Sequence, residues 1–161
     1  MVIMLMGVSG SGKTRVGSLL AQQLGWEFAD ADDYHPAANV DKMRSGIPLT
    51  DSDRAPWLDA LHCLIADWIL KSRNAVLACS ALKQAYREKL QVDAQVRVLY
   101  LKASAELLAR RLLDRRGHYM KKEMLESQLA TLEEPGDAVV VDASGTPEEI
   151  VQEIRRQLRL E

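Results

Sequence analysis

Eight residues near the start constrain this chain more than any others. Gly7-Val8-Ser9-Gly10-Ser11-Gly12-Lys13-Thr14 fits G-x-x-x-x-G-K-[ST] at every fixed position. The pattern is meaningful only between a strand and a helix, and the sequence supplies both. Val2–Met6 is apolar without a break, as in a strand buried on both faces. From about Lys13 to Leu24, the side chains of Val16, Leu19, Leu20 and Leu24 share one face of a helix. Such a loop wraps backbone N–H groups around phosphate oxygens, and its glycines permit the turn and the close approach. Gly7, Ser9, Gly10, Ser11 and Gly12 therefore form the cradle. Lys13 is placed to reach the β- and γ-phosphates, and Thr14 to offer its hydroxyl to Mg²⁺. The helix N-terminus adds a favourable dipole. The motif indicates a nucleoside triphosphate site and is silent on what receives the phosphate.

The rest of the chain continues the alternation. Glu27–Ala29, Ala75–Cys79, Val96–Leu101 and Ala138–Val141 read as further short strands with helical patterns between them. This predicts an α/β fold: a five-stranded parallel sheet between two helical layers, in one domain over residues 1–161. Two excursions leave the sheet. The first spans about 30–74, and its second half is helical, with Trp57, Leu58, Leu61, Leu64, Ile65, Trp68 and Ile69 at helical spacing. These read as core, with Trp57 also a candidate for substrate packing. The second excursion, about 104–132, reads as a helical lid. Thr146-Pro147-Glu148-Glu149 opens the last helix with an N-cap, a proline at N1 and a capping-box Glu.

Charge and composition narrow the function. A net charge of −2 and a pI near 6.0 argue against a dedicated nucleic-acid binder. No apolar run is long enough to span a membrane. Met1–Met6 resembles a signal-peptide core only superficially, since no basic region precedes it and the phosphate loop follows at once. The expected setting is the cytoplasm, with Cys63 and Cys79 reduced and buried. His35, His62 and His118 are too scattered for a structural zinc site.

Three segments are candidates for the acceptor side. Asp30-Ala31-Asp32-Asp33-Tyr34-His35-Pro36 follows strand two, where ligands of open α/β sheets sit. With strand two expected beside the phosphate-loop strand, its carboxylates would face the γ-phosphate. Asp32 is assigned to the acceptor hydroxyl and Asp30 to the metal shell. The competing reading is a solvated acidic turn that caps a helix. His35 either binds substrate or braces the turn before Pro36. In Asp51-Ser52-Asp53-Arg54-Ala55-Pro56-Trp57, helix initiation with Pro56 in the first turn competes with a substrate role, and Arg54 is placed to clamp an anionic acceptor. After strand three, Ser80 is expected to cap a helix, with Lys83 and Arg87 at i, i+4 on one face. That pair suits a carboxylate or phosphate, or else forms a solvated basic face. On the lid, Arg110, Arg111, Arg115 and Arg116 precede Gly117, a candidate hinge. Arginines closing over a nucleotide would balance transition-state charge.

Together these segments resemble the bacterial-type gluconate kinases of the P-loop kinase group. The match runs through residues 7–13, Asp30-x-Asp32-x-x-His35-Pro36, Asn39 with Lys42-Met43, and Gly46-Ile47-Pro48-Leu49-Thr50-Asp51. It continues through Asp53-Arg54 with Pro56-Trp57-Leu58, Cys79–Lys83 with Tyr86-Arg87, Arg116–Met120, Ser127-Gln128, and Leu132-Glu133 with Pro135. The resemblance covers nearly the whole chain, and its middle motifs are far more specific than the phosphate loop. It implies a nucleotide-kinase-like fold with a lid, often a homodimer, converting ATP and D-gluconate to ADP and 6-phosphogluconate with Mg²⁺. It also implies that His118 and Gln128 join His35, Arg54, Lys83 and Arg87 on the substrate. The family usually has Lys-Ser-Thr where this chain has Lys13-Thr14-Arg15, Gly in place of Ala31, and Phe in place of Tyr119; no charged group is lost.

Rival readings share the loop. Shikimate kinases typically carry a Gly-Gly-Gly turn after strand three, and this chain has no Gly-Gly pair. Nucleotide monophosphate kinases usually show Asp-Gly-Phe-Pro-Arg where this chain has Cys-Ser-Ala-Leu-Lys. A GTP-binding switch would need an Asn-Lys-x-Asp motif, which is absent. A non-catalytic nucleotide-binding module fits poorly with an intact Lys13, Thr14 and Asp32.

Overall fold

Alternate side chains of the first strand feed two separate cores. On β1 (Val2–Met6), Val2, Met4 and Met6 pack into one cluster with Trp57, Leu61, Ile65, Tyr86 and Leu90. Ile3 and Leu5 pack into the other with Val16, Leu20, Ile150 and Ile154. This is the period-two pleat of a strand covered on both faces. The computed structural model describes residues 1–114 and 122–161. Helices α1 (Lys13–Leu24) and α7 (Pro147–Leu158) form one layer, and α3 (Asp51–Leu70) with α4 (Gln84–Leu90) the other.

The sheet holds five parallel strands in the order β2-β3-β1-β4-β5, where β2 is Glu27–Asp30, β3 Ala75–Ala78, β4 Val96–Lys102 and β5 Val139–Asp142. A helix at Ala37–Arg44 was not expected, and α4 begins at Gln84 rather than directly after Ser80, but strand positions match the sequence expectation to within a residue. The neighbour relation does not. β2 pairs with β3, and β3 separates it from the phosphate-loop strand. The reason is legible in hindsight. Ala75–Ala78 is buried at every position and suits the interior, whereas Glu27 is exposed and the rest of β2 only half-buried, which suits an edge. Glu27 is occupied there by Trp68 Nε1 (2.9 Å) and Arg73 (2.8 Å).

Two helix starts carry reciprocal caps. Thr50 accepts from the Asp53 amide while Asp53 accepts from that of Thr50, and Thr146 with Glu149 does the same for α7. Pro56 is the sixth residue of α3, in its second turn rather than its first. Cys79 is buried but Cys63 is exposed, because it points off the outer face of α3. Close packing shows most clearly at Gly17 on α1. A Cβ there would stand 3.0 Å from Phe28 Cε2 and 3.2 Å from Leu5 Cδ1. Between the strands run a 3₁₀ turn (Ala31–Tyr34) and α2 (Ala37–Arg44) after β2, and α5 (Ala105–Asp114) and α6 (Lys122–Thr131) after β4. Among the described residues, no helix is long and apolar enough to cross a membrane.

Candidate active site

The phosphate loop is shaped by what its glycines leave out. A Cβ on Gly7 would lie 2.7 Å from Ser11 Oγ and 3.0 Å from the Leu101 carbonyl. Gly12 caps α1 in the left-handed region at φ 95°. The Ser11 amide donates to the Val8 carbonyl (3.2 Å), and its buried hydroxyl has no partner among the described residues. Lys13 Nζ donates to the Val8 carbonyl at 3.2 Å, curling over the loop. The Thr14 hydroxyl donates to Asp30 Oδ2 at 2.6 Å, while Asp30 Oδ1 accepts from the Asp32 amide at 2.9 Å. The end of β2 thus reaches the loop across the intervening strand.

The cleft beyond the carboxyl ends of β1, β2 and β3 is lined by Lys13, Asp32, His35, Arg54, Trp57 and Gln128. Segments remote in sequence therefore meet in one place. Asp32 keeps exposed surface, yet it sits within the cleft. Crowding there raises its pKa; Lys13 opposes the rise, and Asp30 and Asp33 add to it. His35 stacks on Trp57 with ring centroids 4.4 Å apart and planes 11° apart. Burial, helped by Arg54, lowers the His35 pKa to about 4, so the ring is neutral near pH 7. Trp57 is buried and donates Nε1–H to the Ala31 carbonyl at 2.7 Å, pinning the acidic turn to α3. Gln128 Oε1 accepts from the Ser9 amide at 2.7 Å and ties α6 to the phosphate loop.

Arg54 is held from outside the cleft. Its Nη1 donates to the Tyr86 hydroxyl (3.1 Å), and its guanidinium lies 5.5 Å from that ring's centre. Tyr86 in turn donates a very short hydrogen bond to Asp51, which also takes Lys83 at 3.0 Å. The Tyr86 bond, then Lys83, depresses the Asp51 pKa.

Several expected site residues stand elsewhere. Lys83 is the N-cap of α4, turned to Asp51, and shares no helical face with Arg87. Ser80 caps nothing, since α4 starts at Gln84, but it lines the cleft. Arg87 is 2% exposed and donates to the Ala81 carbonyl (2.8 Å), the Glu133 carbonyl (2.7 Å) and Gln84 Oε1 (3.0 Å). It does not line the cleft. Of the lid arginines, Arg110 is exposed. Arg111 donates to the carbonyls of Gly10 (3.1 Å), Ser11 (3.3 Å) and Ala143 (2.5 Å), beside an opening also lined by Arg15, Pro147 and Ile150. Arg115, Arg116, Gly117 and His118 lie outside the described residues. Met43, Leu49 and Met124, which belong to no catalytic motif, pack together as one wall of the cleft. Met43 and Leu49 fall within the motifs of the resemblance, and Met124 does not.

The chain is similar to known kinases of two related chemistries. A family model for shikimate kinase matches residues 9–159. The gluconokinase of Gluconobacter oxydans (strain 621H) is 46% identical over 163 residues, covering 99% of this chain and 92% of the relative. The crystal structure of a gluconokinase from Sinorhizobium meliloti 1021 superposes with a TM-score of 0.87 at 41% identity, over 98% of this chain and 91% of that one. An unliganded sugar kinase from Janibacter sp. HTCC2649 gives a TM-score of 0.91 at 39% identity, over 99% and 94%.

Proposed function

This chain belongs to the gluconokinase family, within the wider group that the shikimate kinase model gathers, and from that premise we propose that it transfers the γ-phosphoryl group of ATP to D-gluconate. The products are ADP and 6-phospho-D-gluconate. The observation that carries this reading is the meeting of Lys13, Asp32 and Arg54 in one cleft, from three segments distant in sequence. Lys13 faces the phosphates, Asp32 the acceptor hydroxyl, and Arg54 the carboxylate of a sugar acid. Shikimate also carries a carboxylate, so charge alone does not separate the two. The relatives at 41–46% identity, and the absence of a glycine-rich turn after β3, favour gluconate.

The reaction is an in-line displacement. The terminal hydroxyl oxygen of gluconate forms a bond to the γ-phosphorus as the bond to the bridging oxygen of ADP breaks. Asp32 orients that hydroxyl and accepts its proton; burial in the cleft raises its pKa above the ordinary carboxylate value, which makes it a better base. Thr14 and Asp30 put a hydroxyl and a carboxylate together at the loop, a hard oxygen pair suited to Mg²⁺, which keeps most of its shell as water and phosphate. When bound, Mg²⁺ neutralises phosphate charge. The opening beside Gly10, Arg15 and Arg111 suits the nucleoside, with Arg111 as its cationic wall. Arg115 and Arg116 are assigned to the phosphates from the charge of the lid segment, and His118 to the acceptor from the resemblance. The same resemblance supports a homodimer, while a cytoplasmic setting without a nucleic-acid or membrane partner rests on the charge and the short apolar runs of the sequence.

The test is ADP release from Mg-ATP with gluconate, shikimate, nucleoside monophosphates or no acceptor, each repeated with EDTA. Release stimulated by gluconate alone and abolished by EDTA is expected. Stimulation by shikimate in place of gluconate, or by neither, overturns the assignment.

A further inference from the structure

Asn39 is 4% exposed and is one of few buried polar side chains among the described residues. Its amide faces two groups. Nδ2 lies 2.8 Å from the carbonyl of Asp53, which can only accept, so the atom there must be the amide nitrogen. The same nitrogen lies 3.3 Å from His35 Nδ1. An amide nitrogen only donates. His35 Nδ1 must therefore present its lone pair, and a neutral imidazole then carries its one proton on Nε2. A doubly protonated ring would set N–H against N–H. The ring plane is fixed independently by the stack on Trp57, itself anchored to the Ala31 carbonyl. With plane and tautomer both set, the ring has one polar vector left, the Nε2–H, which has no protein partner among the described residues. His35 lines the cleft beside Asp32 and Arg54.

We propose that Asn39 is a positioning residue that holds His35 as the Nε2–H tautomer, so that His35 donates a hydrogen bond to an acceptor oxygen and takes no proton from it. Proton transfer then falls to Asp32 alone, and His35 selects acceptors with a lone pair at that point. The charge-free state that burial and Arg54 impose on His35 agrees with this. The substrate half of the proposal rests on the gluconate reading above; the tautomer half does not.

The experiment is ¹H–¹⁵N correlation NMR of histidine-labelled full chain without ligand, paired with steady-state kinetics. The wild-type His35 pattern is expected to show protonated Nε2 and bare Nδ1. Asn39→Asp presents only acceptors to the ring, and should move the proton to Nδ1 or charge the ring. Asn39→Leu should leave a tautomer mixture and raise KM for gluconate roughly 3- to 10-fold, the worth of one hydrogen bond, with kcat nearly unchanged. His35→Gln keeps an N–H donor and should retain most turnover, whereas His35→Phe should not. A wild-type proton on Nδ1, or a tautomer unmoved by Asn39→Asp, overturns the proposal. So does His35→Gln as inactive as His35→Phe. Wild-type protein that releases no ADP with gluconate would sink the substrate reading instead, while the NMR arm still decides the tautomer.

Discussion

The donor loop and the acceptor cleft are built by opposite means. The loop is local: eight consecutive residues, positioned by the strand before and the helix after, with glycines where side chains would collide. The cleft is assembled from afar. Trp57 holds Ala31, Asn39 holds His35 and Asp53, and Tyr86 holds Arg54. Nucleotide binding can therefore be written as a short motif, whereas acceptor choice is distributed over a long-range scaffold. Changes to the scaffold should alter KM for the acceptor, and changes to the chemistry at the junction should alter turnover.

The sharpest test of that division is Asp32→Asn. It should lower kcat by about 10²- to 10⁴-fold, the usual worth of a general base, while ATP affinity measured by calorimetry stays near wild type. Near-normal turnover would remove Asp32 as the base. Next is Arg54→Gln, which should raise KM for gluconate by roughly 10- to 100-fold through loss of a charged hydrogen bond, with KM for ATP little changed. Equal effects on both substrates would break the separation between donor and acceptor sides. Arg87→Met tests a residue the structure places in the scaffold. It should lower stability by roughly 1–3 kcal/mol in chemical denaturation, by leaving the buried Ala81 carbonyl and the part-buried Glu133 carbonyl without this donor. A large rise in KM for gluconate with unchanged stability would return Arg87 to the substrate. The smallest effect is set by pH. Lys42 first, then Thr50, holds the Asp53 pKa at about 2, below the ordinary 3.8. A carboxylate depressed on folding stabilises above its unfolded pKa and loses that contribution as pH falls through its folded one. The Tm deficit of Asp53→Asn should therefore be full at pH 7 and shrink between about pH 4 and pH 2. A deficit independent of pH would mean that the charge of Asp53 contributes nothing.

The fold was legible because its signals are short-ranged. An apolar run gave β1, helical spacing gave α3, and Thr146 with Glu149 gave the start of α7. Strand order was harder, because it depends on which strand most needs covering. Comparing Ala75–Ala78 with Glu27–Asp30 would have shown β2 at the edge. At the site, the gathering of Lys13, Asp32 and Arg54 at one cleft and of Thr14 with Asp30 at the loop could be anticipated from residue type and position at strand or helix ends. Arg87 could not, since a basic residue on a short helix looks the same whether it meets solvent or three acceptors of its own chain. Nor could Asn39, whose role is fixed only when Asp53 and His35 are brought to either side of it.

Gly17 stands three residues beyond Thr14 and four beyond Lys13, one helical turn along the same face of α1. The bare hydrogen there lets the helix seat against Phe28, Leu5 and Val76, where any larger group would have to push by a few tenths of an ångström. The alignment of the lysine and threonine with their anionic partner is in that sense gauged from behind, by how closely a helix can lie on a sheet. Damage at this position would leave every chemical group in place and still set the loop out of true.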